Sequence, residues 1–220
     1  ARADILDIRS EEAEALEGVV AVLTGVQMAE DGLGDLPCGW QVKQKDGSDM
    51  VSAPHPPLAV QAVNYVGEPY GIVVADSIAT ALQAVELVTT EFRELDPIVD
   101  LVLATDSERI HADVARNLAY DWELGDAEAT DAAMQRAAHV TRIEITNNRL
   151  IPNAMEPRAA LGIYEAATEE HTLYTTSQNP HLERLVLSAF VQIAPEHKLR
   201  VIAPDVGGGF GSKIFIYAEE

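Results

Sequence analysis

Apolar and polar positions alternate from Ala3 to Ile8 (ADILDI), the period of a half-buried strand. SEEAEALEG then predicts a short helix, with Ser10 as a candidate cap and Gly18 as a stop. The β-branched run Val19–Thr24 predicts a buried strand, and YGIVVAD (Tyr70–Asp76) a second one. Between Ser77 and Val88 the period lengthens, placing Ile78, Leu82, Val85 and Val88 on one helical face behind a capping Ser77. VTTEFRELDPIVD leads out as a strand that Pro97 ends. From Gly25 to Pro57 the pattern dissolves under Gly32, Gly34, Pro37, Gly39, Gly47, Pro54, Pro56 and Pro57. A loop of that length predicts a functional segment, a partner-docking segment or partial disorder.

The second half repeats the alternation of helix and strand with different spacing. Residues 101–126 suggest connecting chain with local turns, and Asp126–Ala138 a helix. HVTRIEITNNR predicts a strand through Val140, Ile143 and Ile145, while AALGIYEA and HTLYTTSQ flank a polar turn as a hairpin. Pro180 opens a helix carrying Leu182, Leu185, Val186 and Ala189 on one side, and KLRVIAPDV is a last strand running into glycines. The expectation is an α+β chain with one domain over residues 1–100 and a second over 101–220.

Composition narrows the function classes. Fifteen basic residues against 36 acidic ones give a formal charge of −21, a surface that repels phosphate backbones and anionic lipid. Nucleic-acid and membrane-surface roles lose ground. No run is long and apolar enough for a membrane span, and the single cysteine, Cys38, excludes an internal disulfide and suits a reducing, cytoplasmic compartment. The chain opens without methionine, almost directly on a strand, which suggests a piece of a longer protein.

Candidate chemistry gathers around APDVGGGFGSK (Ala203–Lys213). A phosphate-binding P-loop needs glycine followed by lysine and then Ser or Thr, but here Ser212 precedes Lys213. Gly207, Gly209 and Gly211 give G-x-G-x-G after a late strand, which does not match a dinucleotide fingerprint. A plain tight turn explains one or two glycines better than four. Upstream, TTSQNPH sets Gln178 at a strand end before a helix start, where its amide could donate to an oxygen ligand or simply cap. NAMEPRAALGIY sets Glu156 and Arg158 around Pro157, a pattern also typical of a surface charge pair. The histidines at 55, 111, 139, 171, 181 and 197 show no ligand spacing; His181 is of interest only because it follows Gln178 closely.

Taken in order, VGEP, NAMEPRAALGIY, TSQNPH and VIAPDVGGGFGSK resemble the molybdopterin-binding large subunit of the xanthine oxidase (molybdenum hydroxylase) family. Within that family the resemblance is above all to the carbon monoxide dehydrogenase large-chain type. It implies an α/β hammerhead domain followed by the first part of a molybdenum-cofactor-binding domain. It also implies that Gln178 hydrogen-bonds an oxo ligand of molybdenum, and that Gly208, Gly209, Phe210 and Gly211 lie against the metal and its pterin, with no protein side chain ligating the metal. Family chemistry is hydroxylation or CO oxidation with oxygen from water and a glutamate base. A copper ion joins the molybdenum in CO dehydrogenase.

The resemblance further implies a molybdenum–pterin cofactor in cytosine dinucleotide form, an FAD-binding medium subunit, a 2Fe-2S small subunit and a dimer of heterotrimers. Family subunits are several times longer, so the glutamate base and most pterin-binding residues are expected beyond Glu220. Glu156, Glu219 and Glu220 are not candidates for that base, and the 220 residues alone are expected to be inactive and cofactor-free. Ile214, standing where purine-oxidising members carry glutamate, weighs against a xanthine-type substrate. Two readings outside the family stay open: an acidic α+β binding module whose glycines only turn the chain, and a nucleotide-binding glycine loop.

Overall fold

The computed structural model describes residues 2–148 and 150–220. Strand β1 (Arg2–Arg9) pairs antiparallel with β5 (Thr89–Leu95) along most of its length, and its other edge takes the two-residue β3 (Ala62–Val63). Strands β2 (Val19–Thr24) and β4 (Gly71–Ala75) form a separate antiparallel pair. Helix α1 (Glu11–Glu14) and helix α3 (Ile78–Leu87) close over that pair, burying Ala13, Val22 and Ala84 with Leu16, Val19, Val73, Leu87 and Val88 around them. Alanines at the centre let two helices and a ribbon approach closely, and the first core is correspondingly small.

Several expectations change here. Ser77 caps α3 through the Thr80 N–H, as its position suggests, yet Ile78, Leu82 and Val85 point outward, Ile78 at 81% exposure. The buried face is the one with Ala84 and Leu87. Ser10 does not cap α1; its hydroxyl donates to Glu14 instead. Val22 is the one buried residue of β2, so that strand is half-buried. The span 25–57 holds a helix, α2 (Gly25–Glu30), whose Gln27 side chain reaches back to the Thr24 N–H at 2.7 Å. No strand forms over 139–148, where Ile143 and Ile145 are exposed and unpaired; Arg149, the last residue of that expectation, lies outside the described residues.

The second sheet is what positions the site. Strands β6 (Ala160–Glu165) and β7 (Glu170–Thr175) form the expected hairpin. Helix α5 (Pro180–Ala189) carries the chain to β8 (Leu199–Ile202), which pairs parallel with β7, His171 facing Leu199 and Tyr174 facing Ile202. A parallel pair brings two carboxyl ends to the same edge of a sheet, the place where loops meet and open α/β sheets bind ligands. Among the described residues between 101 and 159, one α-helix forms, α4 (Ala127–Arg136), capped by Asp126. On α5, Val186 and Leu187 are buried while Leu182 and Leu185 are half-exposed, so the inward face is turned from the one the periodicity selects.

The second core comprises Leu36, Leu173, Val186, Leu187, Val191 and Leu199. Leu36 belongs to the long segment after α2, so that segment is a strap laid across the second half of the chain. Gly34 N–H donates to Val191 O at 2.9 Å, Lys45 N–H to Asp121 O at 2.8 Å and Val51 N–H to Ala119 O at 2.8 Å. Arg2 adds a bond from its guanidinium to Arg109 O at 2.8 Å.

Candidate functional site

Two loops leave the carboxyl ends of β7 and β8, residues 176–179 and 203–213, and they meet. Thr176 N–H donates to Ala159 O at 3.2 Å, and Asn179 accepts from Leu182 N–H as the cap of α5. The capping task therefore falls to Asn179 and leaves Gln178 for the neighbouring loop. Gln178 N–H donates to Lys213 O at 2.8 Å, and its side-chain Oε1 accepts from Gly211 N–H at 3.0 Å and Lys213 N–H at 3.3 Å. With Oε1 occupied on the carbonyl side, the Nε2 group of Gln178 faces away from these amides and makes no hydrogen bond among the described residues.

The glycines permit this approach. A side chain at Gly209 would place its Cβ 2.3 Å from Gln178 Oε1, and one at Gly207 would meet Glu156 Cβ at 2.7 Å. Gly208 and Gly211 have φ of +94° and +92°, and Phe210, at +51°, adopts the left-handed region that side chains rarely occupy. Phe210 is 76% exposed with its ring over Gly208. Among the described residues, the amides of Gly208, Gly209 and Phe210 donate to no protein acceptor, whereas those of Gly207 and Gly211 are both engaged. Three consecutive free donors beside a free glutamine N–H make a surface that accepts oxygen or sulfur ligands.

Lys213 anchors the whole arrangement, a role that no local pattern of residues signals. Its side chain is 2% exposed, and Nζ donates to Glu156 Oε2 at 2.9 Å and Glu156 O at 2.8 Å. The same Oε2 accepts from Gly207 N–H at 2.8 Å. The Lys213 ammonium, then the Gly207 N–H, hold the Glu156 carboxyl below the ordinary carboxylate range. Glu156 and Arg158 are therefore not partners: Arg158 pairs with Glu219 and stacks 3.4 Å over the Tyr217 ring. His181 is exposed at the start of α5, and no three His, Cys, Asp or Glu side chains converge as a ligand set among the described residues.

Glu183 lies beneath the Gln178 loop at 3% exposure, with Oε1 unpartnered. Burial pushes its carboxyl above the ordinary range, only partly offset by the Ser177 and Thr175 hydroxyls. A raised carboxyl contributes stability fully below the unfolded value, about 4.3, and loses it as pH rises through the higher folded value. Glu183→Gln, neutral at every pH, should therefore unfold at higher urea than the unaltered chain at pH 7. The two midpoints should converge near pH 4, and parallel shifts at both pH values would contradict this.

The geometry decides between the open readings of the glycine run. A phosphate loop would continue into a helix N-terminus, whereas Gly211 leads into turns. A mere chain reversal would leave Gln178 and the glycines unrelated, yet they are in direct contact. Residues 110–220 match the molybdopterin cofactor-binding domain, and residues 1–96 match the aldehyde oxidase and xanthine dehydrogenase a/b hammerhead domain. The chain belongs to the xanthine oxidase family.

Similar members of this family differ in what they are named for. The carbon monoxide dehydrogenase large chain of Afipia carboxidovorans is 31% identical over 99% of this chain and 27% of its own length. The nicotine 6-hydroxylase large subunit of Paenarthrobacter nicotinovorans is 31% identical over 100% of this chain and 26% of its own. The crystal structure of the Cu,Mo-CO dehydrogenase in its carbon monoxide reduced state superposes with a TM-score of 0.83 at 31% identity, covering 99% of this chain and 28% of that one. The fold is thus a hammerhead domain joined to a molybdopterin-binding domain, and the chain spans about a quarter of the length of these relatives. No described helix is long and apolar enough to cross a membrane.

Proposed function

We propose that this chain forms part of the large catalytic subunit of a molybdenum-dependent oxidoreductase of the CO dehydrogenase or aldehyde oxidase type. The observation that carries the proposal is the pairing of Gln178 with the glycine run. Oε1 is held by Gly211 and Lys213 amides, which directs the Nε2 donor away from the protein, and the amides of Gly208, Gly209 and Phe210 are left without acceptors. A molybdenum–pterin group fits such a surface, because its ligand atoms accept hydrogen bonds and it comes with its own dithiolene ligands. A Cβ at Gly209 would fill the space where the glutamine lies against the loop.

When bound, that group supplies the redox and oxygen-transfer chemistry. The protein's part is to hold and orient. Gln178 Nε2 would donate to an oxygen ligand of that group, and Gly208, Gly209 and Phe210 would offer N–H donors that the loop already holds in place. Gly211 completes the site from behind through its bond to Gln178. In this proposal the domains divide near Asp100, the pterin is the cytosine dinucleotide form, and electrons leave through partner subunits carrying 2Fe-2S and FAD. The complete assembly is a cytoplasmic dimer of heterotrimers.

The proposal is tested by expressing the complete reading frame with its neighbours, measuring molybdenum and pterin content, and assaying CO against aldehydes. Stoichiometric molybdenum and oxidation of either substrate class with water-derived oxygen are expected. The 220 residues alone are expected to carry no stoichiometric molybdenum and to show no turnover. A complete protein without molybdenum would overturn the proposal.

A further inference from the structure

Lys213 lies at a junction of three segments that are far apart in sequence. Its side chain binds the turn at Glu156 through both the carboxylate and the main-chain oxygen, at 2.9 and 2.8 Å. Its backbone binds Gln178 in both directions, N–H to Oε1 at 3.3 Å and O from N–H at 2.8 Å. Glu156 in turn receives Gly207 N–H on the oxygen that Lys213 holds, and its own N–H reaches Gly207 O at 3.4 Å. The five-residue run Gly207–Gly211 is thus fastened at both ends, to Glu156 at the first residue and to Gln178 at the last.

Fastening matters because four glycines lose more conformational freedom on ordering than any other residues would. Untethered, the run would sample many backbone states, and the unpaired amides at its centre would seldom point the same way. The buried ammonium of Lys213 adds rigidity, since it cannot leave its acceptors without a large desolvation cost. The charged groups about Glu156 are Lys213 and, two residues on, Arg158, which is itself engaged by Glu219 and the Tyr217 ring.

We infer that Lys213 and Glu156 are the positioning pair of the cofactor seat: together they set the Gly208–Phe210 amides and the Gln178 side chain in one arrangement before anything binds. The pair touches neither metal nor substrate and acts through the loop and the glutamine. This inference rests on the function proposed above for its purpose, but not for its geometry.

The test uses the complete protein, labelled for amide hydrogen exchange and for the side-chain NH2 signals of Gln178. Lys213→Met is expected to speed exchange at both Gly207 and Gly211 by about tenfold or more, the factor carried by one lost hydrogen bond to a charged group. The Gln178 NH2 pair should collapse toward its free-glutamine position, while amides of α3 and β5 stay unchanged. Glu156→Gln should speed Gly207 exchange in the same direction. The double variant should be no worse than Lys213→Met, because the two residues act as one unit.

Unchanged exchange at Gly211, additive effects in the double variant, or an even rise across the whole second half would overturn the inference. Should Lys213→Met fail to fold, Glu156→Gln decides alone through Gly207 and the Gln178 signals. A clamped loop in a complete protein that takes up no molybdenum would sink the proposed function and leave the pair standing. Molybdenum uptake with exchange unaltered in the variants would do the reverse.

Discussion

Gly209→Ala is expected to dismantle the seat while leaving the fold in place. The new Cβ would lie 2.3 Å from Gln178 Oε1, 2.6 Å from its Cδ and 2.8 Å from its Cγ, distances that no real contact tolerates. The obstructed group is the end of a flexible side chain, so Gln178 swings away and the backbone stays. Its two bonds to the Gly211 and Lys213 amides are lost, at about 1 kcal/mol each. Stability should therefore fall by only about 2 kcal/mol. The consequence for the site is larger, since Nε2 loses the constraint that aims it. Exchange at Gly211 and Lys213 should rise while Gly207, held by Glu156, stays protected. In the complete protein, molybdenum content should drop about tenfold or more, the factor a loss of that size carries in binding. A variant with full molybdenum content and an unmoved Gln178 signal would refute this.

The contrast between Gly209 and Lys213 also shows what a sequence can and cannot display. Gln178 and the glycines stand out as residue types in an uncommon setting, and the parallel pairing of β7 with β8 explains why loops more than thirty residues apart come together. The Lys213–Glu156 pair left no such trace. It joins residues 57 apart, and the lysine looks like any lysine after a turn. Nothing local shows that its side chain is buried.

Faces were harder to read than elements. Along α3 the spacing of Ile78, Leu82 and Val85 marks a real apolar stripe, but the helix packs through Ala84, whose small volume lets it sit close to β2 and β4, with Leu87 alongside. Periodicity ranks faces by hydrophobicity and is blind to which one the neighbouring strands can approach. Helix α2 was hidden among glycines and prolines, although Thr24 and Gln27 carried a capping-box signature. The expected strand over 139–148 failed for another reason. Val140, Ile143 and Ile145 alternate imperfectly, and a strand needs a partner, which this stretch does not have among the described residues.

Leu36→Ala should produce the largest loss of stability of any single change in the strap. Leu36 is 8% exposed and packs among Leu173, Val186, Leu187, Val191 and Leu199, so its removal leaves a cavity in a core that, among the described residues, has six buried members. Leucine-to-alanine changes at such positions cost about 2–5 kcal/mol, and the upper half of that range is expected because so few neighbours remain to close the gap. The effect should also be localised. Exchange should accelerate across β7, α5 and β8, while β1 and β5, held by their own ladder, change little. Gln178 and the glycine run hang from the carboxyl ends of β7 and β8, so loosening that sheet should loosen the seat as well. That outcome would make a segment from the first half of the chain a support of the site in the second. Denaturant midpoints measured with residue-resolved exchange separate the possibilities. A decorative loop would lose less than about 0.5 kcal/mol, as surface substitutions do. A strap would lose several times more and take the order of Gln178 with it.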